Sequence, residues 1–148
     1  MRPEVEVESW KFPRPDPHGP LAPHFEGLRR HRILVQECAG CGSKRWFPKP
    51  ACHRCWSFDT RWEEIEGVGV VHSWTTVHHP FAPASRDDVP YQIVIVELEQ
   101  GIRVVGRVAM EHAPQITIGR EVRATFEDVD DDLTLLFFEP VHGTDVVA

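Results

Sequence analysis

From residue 68 onward the chain carries five apolar runs rich in β-branched residues: VGVVHSWTTV (68–77), YQIVIVEL (91–98), IRVVGRVAM (102–110), EVRATFEDV (121–129) and LTLLFFEP (133–140). Short runs of this kind with turn signals between them predict a small antiparallel barrel. Gly67 and Gly69 predict a strongly bent first strand, Gly101 a tight hairpin and Gly119 a turn after "ITI". The longer piece EHAPQITIG, between the third and fourth runs, occupies the place where OB-folds often carry a short helix. Ahead of the barrel, from Leu34 to Glu66, the pattern changes to shorter strands, ILVQE, KRWF and RWEEIE, set around the cysteines. Farther upstream, HFEGLRRHRIL (24–34) places Phe25, Leu28 and Arg32 at helical spacing and predicts one short helix, against which Gly27 counts.

Residues 1–23 hold six of the thirteen prolines, which fix the backbone and remove hydrogen-bond donors. They read as an extended arm without a core of its own, whose Trp10 and Phe12 can lie against the body or a neighbouring subunit. No internal repeat is visible. The expected organisation is therefore mainly β: a proline-rich arm and short helix (1–33), a cysteine-bearing ribbon (34–66), a five-stranded OB-type barrel (67–140) and a tail (141–148).

All four cysteines fall within CAGCGSKRWFPKPACHRC, residues 38–55, as two CxxC pairs. In a CxxCG turn the chain reverses tightly and aims two sulfurs at one point, and Gly42 supplies the backbone freedom for it. Two such turns predict a tetrahedral thiolate site made by Cys38, Cys41, Cys52 and Cys55. Zinc suits four thiolates and is the expected ion, although iron occupies a similar cage and spacing alone does not identify the metal. With four protein ligands there is no open position for a substrate, so the ion is expected to be structural. Disulfides are the main competing reading, and a reactive thioredoxin-like pair is a weaker one. His53, inside the second pair, is expected at the surface and not among the ligands.

Charge narrows the partners. The net charge of −7 is uneven: residues 1–60 carry ten Lys/Arg against seven Asp/Glu, whereas residues 61–148 carry six against sixteen. An acidic barrel argues against nucleic acid, whose binding rests on cations that displace counterions from phosphates. No apolar run approaches the roughly 20 residues of a membrane-spanning helix, and the start does not resemble a secretory signal. A soluble, cytoplasmic chain with no membrane partner is expected, and in a cytoplasmic setting the thiols stay reduced.

The stretches LVQECAGCGSKRWFPKPACHRCWSFDTRWEEIEGVGVVHSWTTVHHPF, PYQIVIVELEQGIRVVGRV, ITIGREVRATFEDV and LTLLFFEP, in that order, resemble the acyl-CoA-associated family that joins a rubredoxin-like zinc ribbon to an OB-fold, known as domain of unknown function thirty-five. The resemblance covers roughly residues 24–140. It implies an accessory subunit that supplies no nucleophile and works beside a thiolase-like protein, or beside or fused to a hot-dog-fold hydratase, in lipid, steroid side-chain or isoprenoid-precursor metabolism. The exposed ribbon and proline-rich arm predict a hetero-oligomer, in which the chain meets acyl-CoA through its partner. One departure stands out: the second pair reads CHRCW, with His53 where these ribbons often have proline and with no glycine after Cys55, which leaves the shape of the second turn open.

No catalytic constellation is legible: there is no GxSxG, HExxH or phosphate loop, and GVGVVH has too few glycines for a dinucleotide fingerprint. The acidic cluster EDVDDD (127–132) reads as a solvated turn. The long loop TVHHPFAPASRDDVPY (76–91) brings His78, His79 and Phe81 as candidate contacts with a partner or its acyl-CoA channel. Of the aromatics around the ribbon, Trp46, Phe47, Trp56, Phe58 and Trp62, most are expected in the core, with Trp46 and Trp56 kept as candidate partner contacts. The basic group Arg29, Arg30 and Arg32, with Lys44, Arg45 and Lys49, reads equally as a solvated face or a site for coenzyme A phosphates. Two other functions remain open: a single-stranded nucleic-acid module, since ribbons and OB-folds both serve that purpose, and an iron-loaded electron carrier.

Overall fold

The computed structural model describes residues 12–143. Trp10 of the arm lies outside them. Helix α1 (Ala22–Arg29) starts with Pro23 in its first turn, where the missing N–H would have no helical partner. It ends earlier than the sequence pattern predicts. Arg30 caps it, His31 takes a left-handed backbone with φ 56°, and Arg32 lies beyond the helix, its guanidinium 3.7 Å from Glu64. Leu28 and His24 face inward, and Gly27 lets the helix meet β1: a Cβ there would lie 2.7 Å from Leu34 Cγ.

The ribbon is a three-stranded antiparallel sheet in the order β2 (Lys44–Arg45), β1 (Ile33–Cys38), β3 (Thr60–Ile65). Only the first two residues of KRWF form a strand. Opposite faces of this sheet carry different chemistry because side chains alternate. On one face the buried carboxylate of Glu37 is paired across both neighbours, with Lys44 (3.5 Å) and Arg61. On the other, the Gln36 amide oxygen accepts from Arg45 Nε (2.5 Å) and the Lys49 backbone N–H (2.9 Å), fixing the chain between the two cysteine pairs.

The barrel closes in the order β4 (Val68–Val77), β5 (Tyr91–Leu98), β6 (Arg103–Val108), β8 (Leu133–Pro140), β7 (Glu121–Asp130), with β7 returning to β4. β6 and β8 run parallel and the other pairs antiparallel, the arrangement of a five-stranded OB-fold. Gly69 lies where β4 pairs with both β5 and β7, and a Cβ there would sit 2.2 Å from the Glu97 carbonyl oxygen. The barrel therefore closes through a point that only glycine fills. Val94, Val96, Val104, Val122 and Phe138 form its interior, and the same core continues through Val35 and Ile33 of the ribbon to Leu28 of α1. Helix, ribbon and barrel thus share one packed interior.

Two local expectations change. The piece between β6 and β7 forms a single 3-10 turn, Ala113–Gln115. The acidic cluster is mostly strand: β7 runs to Asp130, leaving Asp131 and Asp132 in the turn. Strand pairing accounts for this, and so do partners: His31 Nε2 lies 3.0 Å from an Asp128 oxygen, Thr134 Oγ1 donates to Asp128 (2.6 Å), and Arg14 pairs with Asp130.

Candidate metal centre and adjoining groove

The four Sγ atoms of Cys38, Cys41, Cys52 and Cys55 lie within 4.8 Å of one another, with 3.5 Å between Cys38 and Cys55 and 3.7 Å between Cys41 and Cys52. Zinc bound tetrahedrally to sulfur at about 2.3 Å needs sulfurs about 3.8 Å apart, so the donor set fits a structural zinc ion. None of the four is in a disulfide. Cys38 and Cys52 are buried, while Cys41 and Cys55 face outward.

Two turns with the same hydrogen bonds make the cage. In the first, Gly42 N–H donates to Cys38 O and Cys38 N–H to Ser43 O; in the second, Trp56 N–H donates to Cys52 O and Cys52 N–H to Ser57 O, all four at 2.9 Å. The residue after each CxxC has a left-handed backbone, φ 73° at Gly42 and φ 61° at Trp56. The missing glycine of the second turn therefore does not change its shape; tryptophan adopts the conformation glycine would have taken. The signal for this equivalence was the repeated C-x-x-C-x-S of CAGCGS and CHRCWS.

Donors around the sulfurs favour thiolates. The Ser43 hydroxyl, 3.4 Å from Cys52 Sγ and 3.3 Å from Cys41 Sγ, together with the backbone N–H groups of Cys55 and Arg54, brings the Cys52 thiol down to about 5. Hydrogen bonding with the side chain and backbone of Ser43 also holds Cys41 below the ordinary thiol value. Cys55 behaves oppositely: although a Ser57 backbone hydrogen bond lowers it, Cys38 beside it and desolvation push it up to about 12. Crowded sulfurs resist ionising together without a cation among them, which is the charge balance a divalent ion supplies.

Where helix, ribbon and barrel meet there is an apolar groove of about 370 Å³, lined among others by Phe25, Leu28, Trp46, Phe47, Ile93 and Leu135. Its polar groups are few. His24, 3% exposed, donates from Nδ1 to the Leu34 carbonyl (3.2 Å) and lies tilted against the Trp46 ring, centroids 4.2 Å apart, and burial lowers its pKa to about 4. It is a neutral wall residue. Trp46 Nε1 is buried without a hydrogen-bond partner. Arg107 holds its guanidinium carbon 4.4 Å from the Tyr91 ring centre and 5.6 Å from that of Phe12, and desolvation lowers its pKa from the ordinary arginine value. Phe12 of the arm thus lies against the body, as Arg14 does through Asp130.

The sequence-derived contact candidates do not form one site. Trp46 lines the groove, and Trp56 projects from the second cysteine turn. Arg29 and Arg30 bond Glu26, and both line a shallow cleft beside Asp128 and Asp130, so acids sit among these cations. Lys44 is tied to Glu37, and Arg45 is buried in the ribbon at 6% exposure. His78, His79 and Phe81 are exposed at the end of β4, followed by a 3-10 turn over Pro83–Asp88 that Ser85 anchors through Ala82. Core packing holds for Trp46 but not for most of the ribbon aromatics: Phe47, Trp56 and Phe58 are exposed. The sequence reading missed His24 and Arg107. Arg107 was marked only by its place in β6, opposite Ile93 and Phe137.

Residues 25–61 match the rubredoxin-like zinc ribbon domain of ChsH2, and residues 62–127 its C-terminal OB-fold domain. A probable enoyl-CoA hydratase alpha subunit of Thermomonospora curvata is 37% identical over 86% of the chain, and the 3-oxo-4,17-pregnadiene-20-carboxyl-CoA hydratase alpha subunit of Mycobacterium tuberculosis is 33% identical over 86%. The chain spans only 40% of the length of each. A DUF35 domain-containing scaffold protein of Methanocaldococcus jannaschii is 31% identical over 89% of the chain and 84% of its own length. Among solved structures, the Ltp2-ChsH2(DUF35) aldolase matches at TM-score 0.75 and 36% identity over 86% of this chain and 98% of that one. A Sulfolobus solfataricus DUF35 protein, at TM-score 0.53 and 16% identity over 81% of this chain and 84% of that one, shares the fold. The chain belongs to the ChsH2-type DUF35 family, in which a rubredoxin-like zinc ribbon is followed by an OB-fold.

Proposed function

We propose that this chain is an accessory subunit that docks on a thiolase-like acyl-CoA enzyme, stabilises it and forms part of the wall of its acyl-CoA channel. The reaction we assign to the complex is carbon–carbon cleavage or thiolysis of a CoA thioester in lipid or steroid side-chain breakdown. A hot-dog-fold hydratase is the other partner type that fits, given the hydratase subunits among its relatives. We place the assembly in the cytoplasm, where thiolate ligands stay reduced. Among the described residues no helix is long and apolar enough to cross a membrane.

The observation that carries this reading is the groove. Its walls are almost wholly apolar, its histidine is neutral, and a half-buried arginine stands over two aromatic rings at its side. That arrangement accommodates an acyl body and an anionic or carbonyl group, and it offers no nucleophile. The zinc site supplies rigidity, since four thiolates complete its coordination. The partner provides the reacting groups, and this chain provides position and exclusion of water.

The test is co-expression with Ltp2, the other component named in the aldolase related to this chain. The reading predicts a complex that elutes together and Ltp2 that is more soluble than when expressed alone. Separate elution with unchanged solubility contradicts it.

A further inference from the structure

The two cysteine turns offer an internal comparison. They share two equivalent hydrogen bonds and a left-handed residue at the same place, yet one has glycine there and the other tryptophan. The left-handed region brings Cβ close to the following carbonyl, so glycine is the residue that fits without strain. Burial does not explain the tryptophan, because Trp56 is 76% exposed. Neither do ring contacts, since none involving Trp56 is seen among the described residues. Phe58, two residues on, is also 76% exposed. A strained backbone that presents a large apolar ring to water is a local stability cost without a local return, the signature of a contact made elsewhere.

The surroundings define the partner's chemistry. Residues 38–58 contain Lys44, Arg45, Lys49 and Arg54 and no Asp or Glu, with Glu37 and Asp59 at either end; Lys44 pairs with Glu37 and Arg45 is buried, so Lys49 and Arg54 are the exposed cations of the segment. Lys44, Arg54 and His53 border a shallow polar depression between the two turns. The aromatic pair thus shares its segment with the exposed cations Lys49 and Arg54, which favours an apolar socket rimmed by carboxylates. The geometry points to the second zinc turn, through Trp56 with Phe58, as the anchor that inserts into an acid-rimmed apolar socket on the partner acyl-CoA enzyme. This inference rests on the accessory-subunit reading and names the surface that reading leaves open.

The experiment uses the full zinc-loaded chain and Ltp2 as the probe, with three variants: Trp56→Gly, Phe58→Ser, and Ile118→Ser as a control at another exposed apolar residue. Binding is measured by isothermal titration at low and moderate salt. Trp56→Gly is expected to weaken binding by about 30-fold or more, the loss typical of a central aromatic anchor, and Phe58→Ser by about 5-fold or more. Ile118→Ser should leave binding unchanged, and added salt should weaken binding of the wild type. Melting temperature is read in parallel: relief of the left-handed tryptophan should leave that of Trp56→Gly equal to the wild type or up to about 5 °C higher. Equal binding by wild type and Trp56→Gly overturns the anchor while leaving the accessory-subunit reading intact. Absence of wild-type binding removes both. A fall in melting temperature with Trp56→Gly assigns the ring a structural role and overturns the inference, as does sedimentation showing that Trp56→Gly disrupts a dimer of this chain instead.

Discussion

His24 makes the stability of this protein depend on pH in a way that one substitution isolates. The ring is buried between α1 and Trp46, its Nδ1–H is committed to the Leu34 carbonyl, and desolvation lowers its pKa from 6.5 to about 4. Between those values the unfolded chain takes up a proton that the fold refuses. The stability contributed is therefore complete above about pH 6.5 and is lost as pH falls toward 4. Linkage with these two values gives a loss of about 2 kcal/mol between pH 7 and pH 5, and about 3 kcal/mol by pH 4. Acid also protonates the zinc thiolates, so the informative quantity is the difference from His24→Asn, whose amide can still donate to Leu34 and does not titrate. Urea unfolding of both proteins at fixed zinc, followed by circular dichroism at pH 7, 6 and 5, should show the variant losing about 2 kcal/mol less than the wild type. Parallel pH profiles, within about 0.5 kcal/mol of each other, would refute the claim that His24 is held neutral by burial.

Other consequences follow from the cage and the shared core. Structural zinc sites of this kind contribute on the order of 10 kcal/mol of apparent binding energy near neutral pH. Cys52→Ser removes the ligand supported by Ser43 and Arg54 and should cost zinc retention on dialysis and lower the melting temperature, as read by metal analysis and calorimetry. Phe138→Ala empties the barrel beside Gly106 and should destabilise the chain by about 3–5 kcal/mol in urea unfolding. Single-stranded oligonucleotides should show no binding at physiological salt by fluorescence anisotropy, because the barrel is acidic; a salt-dependent complex there would favour the nucleic-acid module instead.

The barrel was legible because its strands are continuous apolar runs: β4, β5 and β8 begin and end where the sequence pattern places them. The metal ligands were legible because two CxxC pairs at ribbon spacing have few other uses. What escaped depends on contacts distant in sequence. The helix ended early because His31 turns left-handed and reaches Asp128 across the fold, which periodicity within residues 24–34 does not reveal. Asp128 and Asp130 look like a solvated turn until Thr134, His31 and Arg14 are seen beside them. The groove has the same origin: it draws on α1, the ribbon, β5, β6 and β8, elements that no local pattern connects. Trp56 stood among the candidate partner contacts, but its left-handed backbone was hidden for another reason, since a backbone angle is not written in composition.

In the proposed function a closed thiolate cage braces a scaffold whose chemistry resides in another protein. The decisive experiment is steady-state turnover of a CoA thioester by the zinc-loaded chain alone, by Ltp2 alone and by the two mixed. No turnover is expected from the chain alone, and faster turnover from the mixture than from Ltp2 alone. Turnover by the isolated chain, abolished by a substitution at His78 or His79, would contradict that function.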